Sequence, residues 1–505
     1  MLRLTSIPRI APIHRKLLAA ALVAGAVIAY CVMLFSNISY AAGGPDTAGY
    51  MNLAKLLASG RTRHVIEPLR LFGLEQNPTF VSIFTPVGFT WGLPGTGTMA
   101  PGYPPGMPLH IAAAAAIGGW SHAPFFVSPI AALLCAGMMF LVGRELGLSR
   151  FLSAIGASAL ALLPHFVSHA LQPVSDVVAT FWSLVAIWCA LVALRRPSVA
   201  FAAGAAFAIS VWVRPTGVLL AIPLAIALRL KPKLLLRGAV GALPFALALM
   251  FYQHHVYGSV FKTAYGTVSE VVSLEKFAVC FPIFAKWLTI MCTPLVFPAG
   301  LLVVFDKDVP RWHRLLLPVW FSVFLVFYCF WGPFDDWWSL RFLLPGTPAL
   351  ILGTLLLVRD MLRVRLTVPW GHVARVIAAV VIAILVGFPI YRINQYNILG
   401  TDEWESVYPE SVHWAEPQLP ANAFLVSGAL SGAFFYYSGR FSARVDQMND
   451  ENFQLLRAYA GSRGLRWYAV LSDGEPEFKD LPERLRGHWV LIGTYRNVAM
   501  WRLDS

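Results

Sequence analysis

The sequence predicts an all-α polytopic membrane protein with a small α/β domain at its C-terminal end. Hydrophobic residues make up 57% of the 505 residues and charged residues only 13%, whereas a soluble protein carries about 25% charged residues. The mean hydropathy is +0.64. Apolar stretches long enough to cross a hydrocarbon core, which takes about 20 helical residues, recur up to residue 391 and are absent from residues 392–505.

About eleven apolar segments are predicted to cross the membrane as helices. Short polar or proline-rich breaks separate them, and a helix is expected to end at such a break. The fifth and sixth segments are short, so "WVRPTG" (212–217) between them could also be the turn of one re-entrant pair. The predicted spans are 17–36, 124–143, 151–169, 175–194, 198–212, 216–230, 234–252, 284–305, 315–332, 342–358 and 374–391.

The distribution of Lys and Arg predicts how these spans are oriented. Short cytoplasmic loops are enriched in basic residues, and alternate loops of this chain hold most of them. We therefore expect a cytoplasmic N-terminus, with loop 37–105 and the tail after residue 391 on the opposite, outer side of the membrane. This asymmetry accounts for the net charge of +13 and indicates no nucleic-acid partner. The basic residues assigned to the cytoplasm are Arg3, Arg9, Arg15, Lys16, Arg144, Arg150, Arg195, Arg196, Arg229, Lys231, Lys233, Arg237, Lys307, Arg311, Arg314, Arg359, Arg363, Arg365 and Arg375.

Two domains are predicted, a membrane module at 1–391 and an α/β domain at 392–505 on the outer side. The module includes loop 37–105, whose opening places Tyr50, Leu53, Leu56 and Leu57 at helical spacing, so we expect an amphipathic helix on the membrane surface. The tail alternates strand-like and helical stretches. The strand-like stretches are "NAFLVSG", "FSARVD", "RWYAVLSD" and "HWVLIGTYRNVAMWRL", and the clearest helical one is "NDENFQLLRAYAGSRG".

Two acidic residues near the outer face are candidate catalytic groups. A charge close to hydrocarbon is costly and is therefore a functional hypothesis by default. Asp46 follows the first span and precedes a helix, so it could cap that helix, act in catalysis, or do both. Asp176 lies at the outer end of the fourth span and is the only acid between Glu145 and Glu270. A capping role is equally open for Asp176.

Basic residues at the same face are candidate phosphate ligands. Arg341 follows Asp335 and Asp336 in "WGPFDDWWSLRFLLPGTPAL", and it either pairs with one of these acids or is free for bidentate contact with a phosphate. Lys262 is a second candidate, and its alternative is to extend its ammonium group from apolar surface to water. The adjacent His254 and His255 have poor spacing for one metal ion. The tryptophans here are more typical of an interfacial belt than of a binding platform.

Five stretches together resemble a known family. "PDTAGYMNLAKLLASG", "YPPGMPL", "QPVSDVVATFW", "YGSVFKTAYG" and "RFLLPGTPAL" are similar, in order and in predicted sidedness, to segments of the integral-membrane glycosyltransferases of the GT-C superfamily. Among these, the bacterial relatives of protein O-mannosyltransferases and the aminoarabinose transferase that modifies lipid A are the most similar. The resemblance covers residues 17–391. It implies an inverting glycosyltransferase that uses a polyprenyl-phosphate-linked sugar in a cavity facing the periplasm. The outer side of the chain, including the domain at 392–505, is then the periplasmic side of a bacterial inner membrane.

The resemblance also assigns roles to individual residues. Asp46 matches the aspartate at the catalytic centre of the family, and Asp176 matches a second acid. A carboxylate can accept the proton of an attacking hydroxyl, and Arg341 or Lys262 can stabilise the leaving phosphate. The expected lining of the substrate cavity is Tyr50, Tyr103, Asp335, Asp336 and His255.

The chain also departs from the family pattern. It has Asp46-Thr47 where protein O-mannosyltransferases carry an Asp-Glu pair, so protein O-mannosylation is not implied. Gly102 and Tyr103 replace a charged pair of the aminoarabinose transferase, so no metal or phosphate-binding lysine is expected there. No spacing of cysteines or histidines predicts a metal site, although a divalent ion stays open as a cofactor.

Two other functions would also use a lipid-linked saccharide. The protein could be a transporter or flippase of that saccharide, or a polymerase or ligase of surface glycans. Transporters often show internal repeats and broken helices at the bilayer midplane, whereas no repeat is evident here and the candidate charges cluster at one face. We therefore favour the transferase. The sequence indicates neither the sugar nor the acceptor, which could be a glycan, a lipid or a protein.

Overall fold

The computed structural model describes residues 12–266, 272–332, 334–367 and 370–504. Arg3 and Arg9, which contribute to the predicted orientation, lie outside these residues. The helices are α1 (Pro12–Phe35), α2 (Pro45–Ala58), α3 (Glu67–Phe72), α4 (Pro78–Ile83), α5 (Gly106–Gly118), α6 (Val127–Glu145), α7 (Arg150–Ala161), α8 (Pro164–Ala170), α9 (Ser175–Ala193), α10 (Val199–Val213), α11 (Ala221–Ala227), α12 (Pro232–Tyr257), α13 (Phe277–Cys292), α14 (Val296–Leu302), α15 (Arg311–Trp331), α16 (Thr347–Arg363), α17 (Gly371–Gln395), α18 (Thr401–Glu405), α19 (Val407–Ala415), α20 (Ser431–Tyr437), α21 (Asp450–Gly461) and α22 (Glu477–Arg484). The strands are β1 (His64–Val65), β2 (Phe89–Trp91), β3 (Thr98–Pro101), β4 (Ala423–Ser427), β5 (Ser442–Arg444), β6 (Arg466–Ser472), β7 (His488–Tyr495) and β8 (Val498–Asp504).

Each of the eleven predicted spans coincides with a helix or a pair of helices. In the described residues, five helices are by themselves long and apolar enough to cross a membrane, and up to eight spans result if each bent pair is one span. Shorter apolar helices, such as α10, cover the remaining predicted segments. Length and composition thus support five to eight crossings, and the count of eleven and the orientation stay predictions.

Three of the predicted spans are broken by sharp bends. The α7–α8 pair bends by 65°, α13 and α14 by 103°, and the 3₁₀ helix Trp337–Leu343 and α16 by 84°. A proline lies at each break, namely Pro164, Pro294 and Pro345, and proline interrupts a helix because it lacks a backbone donor and crowds the preceding turn. The third bend determines the position of Arg341, which lies in its 3₁₀ arm.

The helices differ in how far the protein covers them. Within the most apolar window of each helix, 78% of α9 is buried, against 6% of α12 and 17% of α17. A helix that is apolar on all sides belongs in an interior or in lipid. We therefore place α9 in the centre of the bundle, whereas α12 and α17 present apolar side chains outward.

Loop 37–105 folds into α2, α3, α4 and a small antiparallel sheet of order β1-β3-β2. Tyr50, Leu53 and Leu56 of α2 are buried, but so are the residues on its other sides, nine of 14 in all. The apolar face expected to meet lipid is covered by protein, with α5 on one side and α20 on another. The spacing of apolar residues predicts that one face of a helix avoids water. It does not tell whether protein or lipid packs against that face.

The C-terminal region contains a five-stranded sheet of order β5-β4-β6-β8-β7. β5, β4 and β6 are parallel, and β8 and β7 run antiparallel. The four strand-like stretches of the tail all contain strands, and the last stretch divides into the β7–β8 hairpin. Arg496 in its turn adopts a left-handed φ of 49°. The domain boundary near residue 391 stays a prediction.

The two faces of this sheet pack against different parts of the chain. Phe424 and Val426 share a hydrophobic core with α21 and with loop residues that include Leu53 and Phe84. Leu425, on the opposite face, packs with α19 and α20. Alternate residues of a strand point to opposite faces, so β4 contributes to both cores. Loop 37–105 and the C-terminal sheet are therefore built around one shared core.

Two glycines allow α2 to approach the rest of its loop. A Cβ atom on Gly49 would lie 2.3 Å from Tyr103 Cε2 and 2.9 Å from Gly88 Cα. Gly88 adopts a φ of +95°, and a Cβ atom there would lie 2.3 Å from Gly49 Cα. The two backbones touch, so neither position accommodates a side chain. This contact places Tyr103 next to the first turns of α2.

We expect Gly49→Ala to destabilise the protein despite the higher helix propensity of alanine. Alanine is favoured over glycine in a helix by about 1 kcal/mol, but forcing an extra methyl group into a packed contact costs about 1–3 kcal/mol. Thermal unfolding in detergent measures the balance. The matched control is Gly137→Ala in α6, because no atom lies within 4 Å of the Cβ position there. Equal melting temperatures for the two variants would show that the contact is not tight.

Candidate active site

Four charged side chains from distant segments converge on one cavity of about 350 Å³. Asp46 comes from α2, Asp176 from the first turn of α9, Arg214 from the residue after α10, and Arg341 from the 3₁₀ helix before α16. They form two ion pairs, Arg341 with Asp46 and Arg214 with Asp176. The four charges sum to zero, and pairing each charge with an opposite one lowers the free-energy cost of burying them.

Asp46 presents its carboxylate to the cavity. Tyr103 Oη donates a hydrogen bond of 2.6 Å to its Oδ1, and Arg341 Nη1 donates one of 2.6 Å to its Oδ2. The capping hypothesis is wrong, because the N-cap residue of α2 is Gly44. Two carboxylate oxygens offer about four acceptor positions, so Asp46 can accept a further hydrogen bond from a bound ligand.

Asp176 is more deeply enclosed than Asp46. Its side chain is 2% exposed, against 29% for Asp46 and 14% for its partner Arg214. Its capping role is not found either, since the N-cap residue of α9 is Val174 and no side chain caps the helix. A buried ion pair of this kind is costly to break, because the remaining charge is left without compensation. Asp176 is thus suited to hold Arg214 in place.

Aromatic side chains form much of the cavity wall. Tyr50 and Tyr103 pack with ring centroids 4.6 Å apart, and Tyr265 meets Tyr103 edge to face at 6.4 Å. Tyr328 stacks on Phe342 at 5.0 Å. Burial and the Asp46 carboxylate raise the pKa of the Tyr103 hydroxyl well above its usual value, so Tyr103 stays protonated and remains a donor to Asp46.

One part of the cavity is apolar and another is charged. Val218, Leu219, Phe261 and Phe327 line the cavity together with the two ion pairs. Both guanidinium groups also lie near the ring of Phe342, with centroid distances of 5.5 Å for Arg214 and 5.1 Å for Arg341. Such contacts stabilise a cation beside an aromatic face. The arrangement suits a ligand that has both a charged group and an apolar chain.

Five of the site residues predicted from the sequence come together here: Asp46, Tyr50, Tyr103, Asp176 and Arg341. The expected alternative for Arg341, pairing with Asp335 or Asp336, is wrong, because its partner is Asp46.

The other four predicted residues are not among those that line the cavity. Lys262 is exposed between two lining residues, and His255 is exposed near the end of α12. Asp335 accepts hydrogen bonds from Lys286 Nζ at 2.9 Å and from the indole of Trp287 at 3.0 Å. Asp336 Oδ1 accepts from the Trp337 backbone at 2.6 Å and so caps the 3₁₀ helix. Both acids thus have hydrogen-bond partners outside the cavity lining.

Arg214 is the main residue that the sequence analysis missed. Its position in "WVRPTG" could have indicated a functional role. It is a single basic residue between two short apolar segments, and the same loop contains no acidic residue. A charge in such surroundings needs a partner from elsewhere. Tyr265, Tyr328 and Phe342 also line the cavity. Tyr265 and Phe342 lie in two of the stretches that carry the resemblance, whereas nothing in the local sequence separates Tyr328 from other aromatic residues at a membrane boundary.

A divalent ion as a cofactor stays a prediction from the sequence. Among the described residues, no group of three or more His, Cys, Asp and Glu side chains could hold one. Asp46 and Asp176, the two carboxylates that line the cavity, are each bonded to a guanidinium group.

Three solved structures are similar to the whole chain. ArnT from Cupriavidus metallidurans, solved bound to undecaprenyl phosphate, aligns over 96% of this chain and 98% of its own at 14% identity, with a TM-score of 0.55. The oligosaccharyltransferase AglB from Archaeoglobus fulgidus, solved with an inhibitory peptide and a dolichol-phosphate, aligns over 97% of this chain and 74% of its own at 13% identity, with a TM-score of 0.58. The arabinofuranosyltransferase AftD from Mycobacteria aligns over 96% of this chain but 40% of its own at 14% identity, with a TM-score of 0.55.

No protein-family model matches this sequence, and no curated protein matches it significantly. At 13–14% identity, the three structural similarities establish the fold. The fold that the sequence resemblance implies, that of the GT-C glycosyltransferases, is thereby confirmed. The chain is a multi-pass membrane protein with the GT-C fold.

Proposed function

We propose that the protein is an inverting glycosyltransferase that moves a sugar from a polyprenyl-phosphate donor to an acceptor hydroxyl. The observation that carries this proposal is the Asp46 carboxylate, which faces a cavity and is held 2.6 Å from Arg341 in a GT-C fold. The predicted orientation assigns this cavity to the periplasmic face of a bacterial inner membrane. The solved neighbours include proteins bound to undecaprenyl phosphate and to dolichol-phosphate, which supports a lipid-linked donor.

In this reaction Asp46 is the general base. The acceptor hydroxyl attacks the anomeric carbon of the sugar while its proton passes to a free lone pair of Asp46. The bond between the anomeric carbon and the phosphate oxygen breaks, and its electron pair leaves with the polyprenyl phosphate. Attack from the side opposite the leaving group inverts the anomeric centre. Proton acceptance by a positioned carboxylate typically contributes a factor of about 10² to 10⁴ in rate.

The two arginines stabilise the charge of the leaving phosphate. Guanidinium groups match phosphate oxygens in geometry and charge, and fixed charges aimed at a developing negative charge contribute strongly in an enclosed site. Within the described chain, Arg341 Nε has no hydrogen-bond partner, so this guanidinium has donor capacity beyond its bond to Asp46. Arg214 takes the role that the sequence analysis gave to Lys262. Asp176 orients Arg214 and is too enclosed to act as the base.

The cavity has the size of a small-molecule site and a lining that suits part of such a donor. Its volume of about 350 Å³ falls in the range of small-molecule sites, roughly 300–1,000 Å³. The sugar would lie against Tyr103 and Tyr265, and the first prenyl units against Val218 and Phe261.

We expect Asp46→Asn to abolish sugar transfer. Asparagine keeps the shape of the side chain and cannot accept a proton at neutral pH, so transfer should fall at least about 100-fold. The measurement compares glycolipids and glycoproteins in a strain that lacks the protein and is complemented with wild type or Asp46→Asn. The matched control is Asp335→Asn, an exposed acid outside the cavity lining, which should restore the glycans. Restoration by Asp46→Asn would contradict the proposal, and unchanged glycans with lost lipid transport would indicate a flippase.

We expect Asp176→Asn to lower both stability and activity. The substitution leaves Arg214 buried without a charged partner, and breaking a buried pair costs about 3–5 kcal/mol. The double variant Asp176→Asn/Arg214→Gln removes both charges and should regain much of the melting temperature. It should stay inactive, because a guanidinium at the phosphate is lost. Thermal unfolding and glycan restoration together test this pair, and a fully active double variant would exclude a role for Arg214 in transfer.

A further inference from the structure

We propose that Glu405, on α18 of the C-terminal region, is a positioning residue that sets the place of Asp46 for sugar transfer. This inference rests on the proposed function. Glu405 Oε2 accepts hydrogen bonds from the Gly44 amide at 2.9 Å and from Thr47 Oγ1 at 2.9 Å. These two donors flank Asp46 in the chain, and their acceptor lies some 360 residues later in the sequence.

Glu405 satisfies a helix end that has no cap of its own. A helix usually begins with a Ser, Thr, Asp or Asn whose side chain accepts a hydrogen bond from the first turn. The N-cap residue of α2 is Gly44, which has no side chain, and no local side chain caps this end. The approach is close, because a Cβ atom on Gly43 would lie 2.5 Å from the Glu405 carbonyl oxygen. The first turn of α2 therefore rests directly on α18.

Asp46 is thus held from two directions. Its backbone lies between Gly44 and Thr47, which are fixed by Glu405, and its carboxylate is fixed by Tyr103 and Arg341. A displacement of a catalytic group by about 1 Å can lower the rate roughly 100-fold. A shorter side chain at position 405 would break the hydrogen bonds to the Gly44 amide and to Thr47 Oγ1. The first turn of α2 would then shift, and Asp46 would move relative to the donor phosphate.

Other contacts from the C-terminal region hold the neighbouring parts of the same loop. Tyr437 Oη accepts a hydrogen bond of 2.8 Å from the Ala42 amide, and Asn52 Nδ2 donates one of 3.0 Å to the Gly432 carbonyl. Among these contacts, those of Glu405 lie nearest to Asp46 along the chain. The C-terminal region therefore contributes to the geometry of the site, in addition to covering it.

The contact requires an acceptor oxygen at a given distance more than it requires a charge. Burial raises the pKa of the Glu405 carboxyl above its usual value, and both hydrogen bonds use the same oxygen. Glutamine has an oxygen at the same reach and is neutral. Aspartate keeps the charge but is shorter by one methylene group, so it cannot reach both donors from the same backbone position. The two substitutions therefore separate reach from charge.

The test uses the full-length protein in lipid nanodiscs with wild type, Glu405→Gln, Glu405→Asp and the control Asp402→Asn. Asp402 is an exposed acid on the same helix. Turnover is measured as undecaprenyl phosphate released from a panel of synthetic undecaprenyl-phosphate-linked hexoses and pentoses, with a membrane extract of a strain that lacks the protein as the source of acceptor. KM for the donor is taken from the same data. Binding of undecaprenyl phosphate alone is measured in parallel. Hydrogen exchange of residues 42–52 reports on the loop independently of activity.

We expect Glu405→Asp to lower kcat roughly 10- to 100-fold while KM and undecaprenyl phosphate affinity change little, and to speed exchange in residues 42–52. Glu405→Gln should retain kcat within about threefold, and Asp402→Asn should match wild type. The proposal is overturned if Glu405→Asp is as active as wild type, or if Glu405→Gln is the more impaired of the two. If wild type transfers none of the sugars, the proposed function fails in this assay. The exchange data then decide on Glu405 alone, and unchanged exchange in Glu405→Asp overturns its positioning role.

Discussion

The contact between Arg341 and Asp46 is the interaction on which the rest of the site depends. It joins the helix that opens loop 37–105 to the bent segment before α16, across a separation of 295 residues. A guanidinium group and a carboxylate in an enclosed site stabilise the fold only if they meet with good geometry. The 84° bend that carries Arg341, the contact between Gly49 and Gly88 and the bond from Tyr103 all serve to bring these two groups together.

The acids of the two ion pairs differ in how far they are buried. Asp176 is almost completely enclosed, whereas Asp46 is partly open to the cavity. Two acids of the same type, each paired with an arginine, are thereby given separate tasks by their surroundings. The open acid can exchange a proton with a substrate, and the closed acid can only hold its partner. Environment, more than residue type, distinguishes the proposed base from the proposed support.

Much of the fold could be predicted from the sequence, because it depends on local patterns. Runs of apolar residues indicated every long helix, and alternation indicated the strands of the tail. Asp46 and Asp176 could be found because an isolated charge beside apolar residues is unusual. The partners of these charges could not be found in the same way. Arg341 has two acids five and six residues before it, yet it pairs with Asp46, and Glu405 looks like any exposed acid of a polar segment. Such pairings are properties of the tertiary structure, which local patterns do not encode.

The core shared by loop 37–105 and the C-terminal sheet has a consequence for the order of assembly. Leu53 and Phe84 are synthesised early, but their packing partners around Phe424 follow more than 300 residues later. At about 5–20 residues per second, roughly 20 to 70 seconds pass before the ribosome supplies them. During this time the loop carries apolar surface that the folded protein later covers, and chaperones would be expected to shield it. Loop 37–105, which carries Asp46, therefore reaches its final packing only after the strands of the C-terminal sheet have been synthesised.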